Sequence, residues 1–132
     1  MNSWGAQLAL VMAGGALGAA GRFWLGGAML RQFGDRLPWG TLAANLIGGY
    51  LVGLILAWAH HADLAPFWRL ILVTGFLGAL TTFSSFSAEV IEMALADRWG
   101  AALTTAALHL LGSLALTWAG IQTARFFIAS GA

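Results

Sequence analysis

Four long stretches of this chain carry almost no charge, and short charged clusters divide them. The first runs from about Trp4 to Leu30 and is interrupted only by Arg22, while the second, from about Pro38 to Ala59, has no formal charge. The third extends from about Pro66 to Leu95 and the fourth from about Gly100 to Ala124. Roughly 20 apolar residues cross the hydrocarbon core of a bilayer as a helix, so each stretch is long enough to span. The connections "RQFGDRL", "HHADLAP" and "ADRWG" are too short to be domains. Residues 1–132 therefore read as one all-α membrane domain of four neighbouring helices.

Composition excludes most other classes. The chain is 60% hydrophobic and 8% charged, against a charged fraction of about 25% in ordinary soluble domains. A water-facing surface needs more charge than this. Cysteine is absent, which removes disulfides, thiol chemistry and thiolate-held metals. A net charge of +1 is too small to gather a nucleic acid. No nucleophile–base pair or metal-ligand spacing is present, and the adjacent His60 and His61 are read as loop residues pointing apart, so an enzyme is not expected. The small residues of "ALGAAG" suit a processing site, but a basic leader region is missing and the apolar stretch is too long for a signal peptide. The first segment is expected to stay as a membrane helix.

Arginine counts leave the orientation open. With four spans, Arg69 and Arg125 fall on one side of the membrane and Arg31, Arg36 and Arg98 on the other, with Arg22 able to join the latter. That bias is weak under the positive-inside rule. Either an unseen feature fixes orientation, or the chain inserts both ways and pairs as an antiparallel dimer. So small a bundle does not comfortably enclose a pore, and a homo-oligomer is expected. Gly14, Gly15, Gly18 and Gly21, and then Gly48, Gly49 and Gly53, form smooth faces for close helix packing.

The third stretch holds "VTGFLGALTTFSSFSAEV", with five hydroxyl residues in the seven positions 81–87. Gly75 and Gly78 disfavour a continuous helix, and Thr81 and Thr82 bond readily to nearby backbone, so a break in mid-membrane is expected here. Freed carbonyls at such a break are natural ligands for a small hard cation. A glycine kink with Ser and Thr bonded back to their own helix is the alternative. Phe83 and Phe86 lie one turn apart, and their positive ring edges suit a dehydrated anion, although stacked phenylalanines more often simply pack. Hydroxyl neighbours would be costly there without a purpose.

Two other spans carry polar positions. Thr41 and Asn45 are one turn apart on the second, and Asn45 brings two amide hydrogens. Thr105, His109, Ser113 and Thr117 recur every four residues on the fourth. Such a stripe serves either helix–helix hydrogen bonds or a track of donors for a small hydrated anion.

The segments "GGALGAAGR", "PWGTLAANLIGGYLVG" and above all "GFLGALTTFSSFSAE" resemble the signature segments of the Fluc, or CrcB, fluoride channel family, in order, from about Gly14 to about Gly120. The resemblance implies an antiparallel, dual-topology homodimer with two pores that passively releases fluoride from the cytoplasm of microbes. It implies that Asn45, Phe83 and Phe86 line the fluoride pore, that Thr41, Ser113 and Thr117 belong to its polar track, and that backbone carbonyls of Gly78 and Thr81 hold a structural sodium ion between subunits. His109 is counted with the pore residues on that track, but it stands where the family pattern has tyrosine, and no role at the pore mouth is assigned to it. Arg22 reads as an anion-attracting or structural charge at the vestibule, and Glu89 is left without a role. A small dual-topology, proton-coupled exporter of organic cations is the alternative, but helices one, two and four hold no carboxylate to couple, leaving only Glu89 and Glu92.

Overall fold

The computed structural model describes residues 3–62 and 64–131. Among them, helix α1 is Trp4–Phe33 and α2 is Trp39–His61. A third span follows, Pro66–Leu95, composed of a short helix α3 (Pro66–Trp68), a π-helical segment (Arg69–Leu77), α4 (Gly78–Leu80) and α5 (Phe83–Leu95). Helix α6 is Trp99–Ser130. The two long first helices, the third span and α6 are each long and apolar enough to cross a membrane, and the chain is a multi-pass membrane protein.

Local chemistry sets most of the ends. The Ser3 side chain caps α1 by accepting from the Ala6 N–H at 3.3 Å. The helix stops at Gly34, whose φ of 73° suits a residue without Cβ and whose N–H returns to the Leu30 carbonyl at 2.9 Å. Three ends lie beyond the sequence-based boundaries, and α1 is the first, continuing past Leu30 to Phe33. Helix α6 continues past Arg125 to Ser130, and α2 includes His60 and His61 in its last turn. Charge ends burial in hydrocarbon but not backbone hydrogen bonding, and Arg is a good helix former.

The bundle is small inside and large outside. Gly14, Gly18, Ala44, Gly48, Gly49, Gly53, Ala102 and Ala124 are buried, while Leu17, Phe23, Trp24, Leu111, Leu114 and Trp118 face outward. Lipid tails are as apolar as Leu, so helices associate through close backbone contact instead of through burial of large side chains. α2 and α6 pack closely, as do α1 and the π-helical segment. A methyl group at Gly53 would strike the Thr117 carbonyl, and one at Gly120 would strike that of Tyr50, so the α2–α6 contact is glycine-dependent from both sides.

The glycines of the third span act differently from their sequence-based reading. Gly78 is helical, with φ −62° and ψ −31°. Gly75 lies within the π-helical segment, where a methyl group would stand 2.7 Å from the Val11 carbonyl and 3.0 Å from the Gly14 Cα. Gly75 therefore provides contact with α1 instead of ending the helix. The backbone becomes extended at Thr81 (φ −82°, ψ 155°) and Thr82 (φ −154°, ψ 118°).

Candidate functional site

Thr81 still closes the preceding turn, its N–H donating to the Leu77 carbonyl at 3.0 Å and its hydroxyl to the same oxygen at 2.9 Å. Thr82 opens the next. Its hydroxyl oxygen accepts the Ser85 N–H at 3.2 Å, capping α5, and also bonds the Ser85 hydroxyl at 3.1 Å. Threonine at this cap satisfies a donor at the new helix start that has no carbonyl one turn back.

The backbone of Thr82 is completed by α2. Its N–H donates to Asn45 Oδ1 at 2.7 Å, and its carbonyl accepts from Asn45 Nδ2 at 3.0 Å. Asn45 Nδ2 also lies 3.1 Å from His109 Nδ1 on α6. An amide nitrogen only donates, so the imidazole accepts at Nδ1 and carries its hydrogen on Nε2. The ring stacks on Phe86, with centroids 4.5 Å apart and planes 24° apart. Phe86 in turn meets Phe83 edge to face, at 5.3 Å and 67°.

These groups border one cavity of about 480 Å³, which also touches Gly78, Thr81 and Ser113. No Asp, Glu, Lys or Arg lines it among the described residues. Its polar groups are hydroxyls, an amide, an imidazole and backbone, suited to a small ion that exchanges water for hydrogen bonds without meeting a fixed charge. Phe83 is 78% exposed and Gly78 is also exposed, so this side of the cavity is unfinished by the chain itself.

Asn45, Phe83, Phe86, His109, Gly78, Thr81 and Ser113 thus come together. Thr41, Thr117 and Arg22 do not border this cavity. Thr117 lies against Gly49 on α2, and Arg22 is half-buried on α1. His109 is only 4% exposed and sits beside Asn45 and Phe86. Thr41, one turn before Asn45, donates to Glu89 Oε1 at 2.5 Å, beside a second cavity of about 290 Å³ that includes Gly40, Asp35 and Pro38. Glu89 Oε2 is buried without a hydrogen-bond partner among the described residues.

The pairings of two residues escaped the sequence reading. Thr82 contributes through its backbone, which residue type does not advertise. Glu89 pairs with Thr41 across 48 positions of sequence, although the parallel placement of Thr41 and Asn45 on one face of α2 hinted that both meet the same neighbour.

Residues 9–121 match the family described as CrcB-like protein, Camphor Resistance (CrcB). A protein of Variovorax paradoxus (strain S110) named fluoride-specific ion channel FluC is 60% identical over 117 residues, covering 88% of this chain and 91% of the relative. Proteins of the same name from Paracidovorax citrulli (strain AAC00-1) and Albidiferax ferrireducens (strain ATCC BAA-621 / DSM 15236 / T118) are 50% identical over 124 residues and 56% identical over 117. These cover 93% and 88% of this chain, and 97% and 88% of the relatives. With a match that begins in the first helix and ends in the last, this chain belongs to the CrcB-like family.

Proposed function

We propose that this chain is the subunit of a fluoride-selective channel, which passively releases fluoride from the cytoplasm across the bacterial inner membrane. The observation that carries the reading is the uncharged, donor-bearing cavity beside the Phe83–Phe86 pair, in a chain 60% identical to a protein named as a fluoride-specific ion channel. Fluoride is a small, strongly hydrated anion. It leaves water only where hydrogen-bond donors and positive ring edges replace the hydration shell. Fixed cations would hold it too firmly to let it pass. Fluoride enters acidified cells as neutral HF and is trapped after dissociation, so a passive anion-selective path lowers its internal level.

The working unit is an antiparallel homodimer with two pores, in which the interrupted third span lies at mid-membrane. The unfinished side of the cavity, with Phe83 and Gly78 outward, supports a second copy as its other wall. Asn45, Phe83 and Phe86 contact the ion, Thr41, Ser113 and Thr117 extend the polar track, and Arg22 acts on the approach. A sodium ion fits the helix interruption. The Thr82 N–H, which in an unbroken helix would reach the Gly78 carbonyl, is engaged by Asn45 Oδ1, leaving that carbonyl free for a hard cation. Gly78 and Thr81 of both copies would hold it, and its charge would keep four carbonyl dipoles together.

Purified protein in liposomes loaded with fluoride or chloride tests the function. Fluoride should leave passively while chloride stays. Equal rates for the two anions, or no fluoride release above protein-free vesicles, would end the proposal.

A further inference from the structure

We infer that His109 is a proton-sensitive positioning residue: with Nδ1 bare it fixes the Asn45 amide that holds Thr82, and a proton on Nδ1 releases that hold and slows conduction. The inference rests on the fluoride-channel reading and adds a form of regulation to it.

The geometry allows Asn45 one orientation. Its Oδ1 faces a donor, the Thr82 N–H at 2.7 Å, and its Nδ2 faces two acceptors, the Thr82 carbonyl at 3.0 Å and His109 Nδ1 at 3.1 Å. Flipping the amide would set oxygen against oxygen and donor against donor. His109 therefore takes part in the fixing of the third span as well as lining the cavity. Its ring cannot turn freely, because it stacks on Phe86. Its other nitrogen, Nε2, is buried and has no hydrogen-bond partner among the described residues. A buried donor of this kind is uncommon, and it leaves Nδ1 as the ring's one hydrogen-bonded atom among the described residues.

A proton added to Nδ1 turns the acceptor into a donor facing the Asn45 amide hydrogens. No orientation of Asn45 then satisfies Thr82 and His109 together, so the clamp on the extended segment loosens. The imidazolium also places a fixed cation in a cavity otherwise lined without one, where it would retain an anion. Both effects slow passage. The titratable groups on the helices packed against α6 are Tyr50, His60 and His61 on α2 and Glu89 and Glu92 on α5. None of them hydrogen bonds to His109 among the described residues, and Glu89 is held by Thr41. On α6 itself, Arg125 lies four turns further along, and Arg98 caps the start. An imidazole can take up a second proton on Nδ1, a change of state that an aromatic hydroxyl at this position would not offer.

The test compares fluoride efflux from liposomes at about pH 7.5 and about pH 5.5, after subtracting protein-free vesicles through which neutral HF crosses. Wild type is set against His109→Asn, whose amide oxygen can replace the Nδ1 acceptor but takes no proton. The ratio of rates at the two pH values is read, not the basal rate. Wild type should slow several-fold in acid, and the variant should keep a ratio near one. Equal ratios would overturn the inference. A second arm is independent of transport: histidine nitrogen NMR on the His60→Gln/His61→Gln chain, in which His109 is the remaining histidine. The Nε2–H tautomer at neutral pH, and a second proton in acid that shifts the Asn45 amide signals, support the inference. A ring protonated on Nδ1 at neutral pH, or neutral throughout, overturns it. Absence of fluoride release at either pH would sink the channel reading alone, and the NMR arm would still decide the role of His109.

Discussion

Asn45 pairs with both backbone groups of Thr82, accepting its N–H at 2.7 Å and donating to its carbonyl at 3.0 Å. One side chain thereby replaces, for one residue, what a neighbouring strand would supply. Asn45→Ala leaves both groups without these partners, and each unsatisfied buried group costs about 1–3 kcal/mol. The thermal midpoint in detergent should fall clearly, and fluoride efflux with it. An unchanged midpoint would mean that the extended segment is held by other contacts.

Phe83 and Phe86 should separate packing from ion contact. Phe83 is largely exposed in the chain, whereas Phe86 stacks on His109. Isoleucine keeps bulk roughly constant and removes the positive ring edge. Phe83→Ile should leave the stability of the chain nearly untouched and still reduce efflux several-fold, since an aromatic-edge contact contributes on the order of 1 kcal/mol. Phe86→Ile should reduce both. Phe33→Ile, at the outer end of α1, serves as the control and should change efflux little. Parental efflux in both third-span variants would make the two rings packing residues only.

The sequence displayed the architecture more openly than the site. Apolar length and the charge clusters sufficed for four spans, because the bilayer demands length whatever the packing. The ends were harder: nothing in Arg125 or His60 says whether backbone hydrogen bonding continues, and both lie within helices. Asn45, Phe83 and Phe86 stood out as polar or aromatic residues in costly places, and they border one cavity. Gly75 misled, since a glycine that seats one helix against another looks the same in sequence as one that ends a helix. Pairings between residues far apart, such as Thr41 with Glu89, depend on helix register that no single segment contains.

Glycine at the α2–α6 contact gives a prediction about packing. A methyl group at Gly53 would overlap the Thr117 carbonyl, which is backbone and cannot rotate away. Gly53→Ala should force the two helices apart and destabilise the chain by about 1–3 kcal/mol. Gly5→Ala, where nothing lies within 4 Å, should be neutral or slightly stabilising. The comparison is made by thermal unfolding in detergent, and equal midpoints for the two variants would contradict it.

The proposed dual insertion, with arginines nearly balanced on the two sides, is tested by labelling. Single cysteines at Ser3 and Ser130, treated with an impermeant reagent in intact cells, should each be labelled in part of the population. Complete protection or complete labelling would rule out an antiparallel pair.

The proposed sodium site makes the most specific demand on assembly. Because Asn45 Oδ1 takes the Thr82 N–H, the Gly78 carbonyl lacks the helical donor that would otherwise cover it, and two copies meeting there would bring like-oriented dipoles together. Without a cation those dipoles repel; with one they become ligands. Replacing sodium by a large organic cation from purification onward should therefore weaken the dimer, seen as a shift toward monomer in detergent, and lower fluoride efflux in parallel. Restoring sodium should recover both, as the proposal of a structural ion that is not carried across requires. Assembly and efflux that are indifferent to the cation would remove the sodium ion from the interface and leave the freed carbonyl to water.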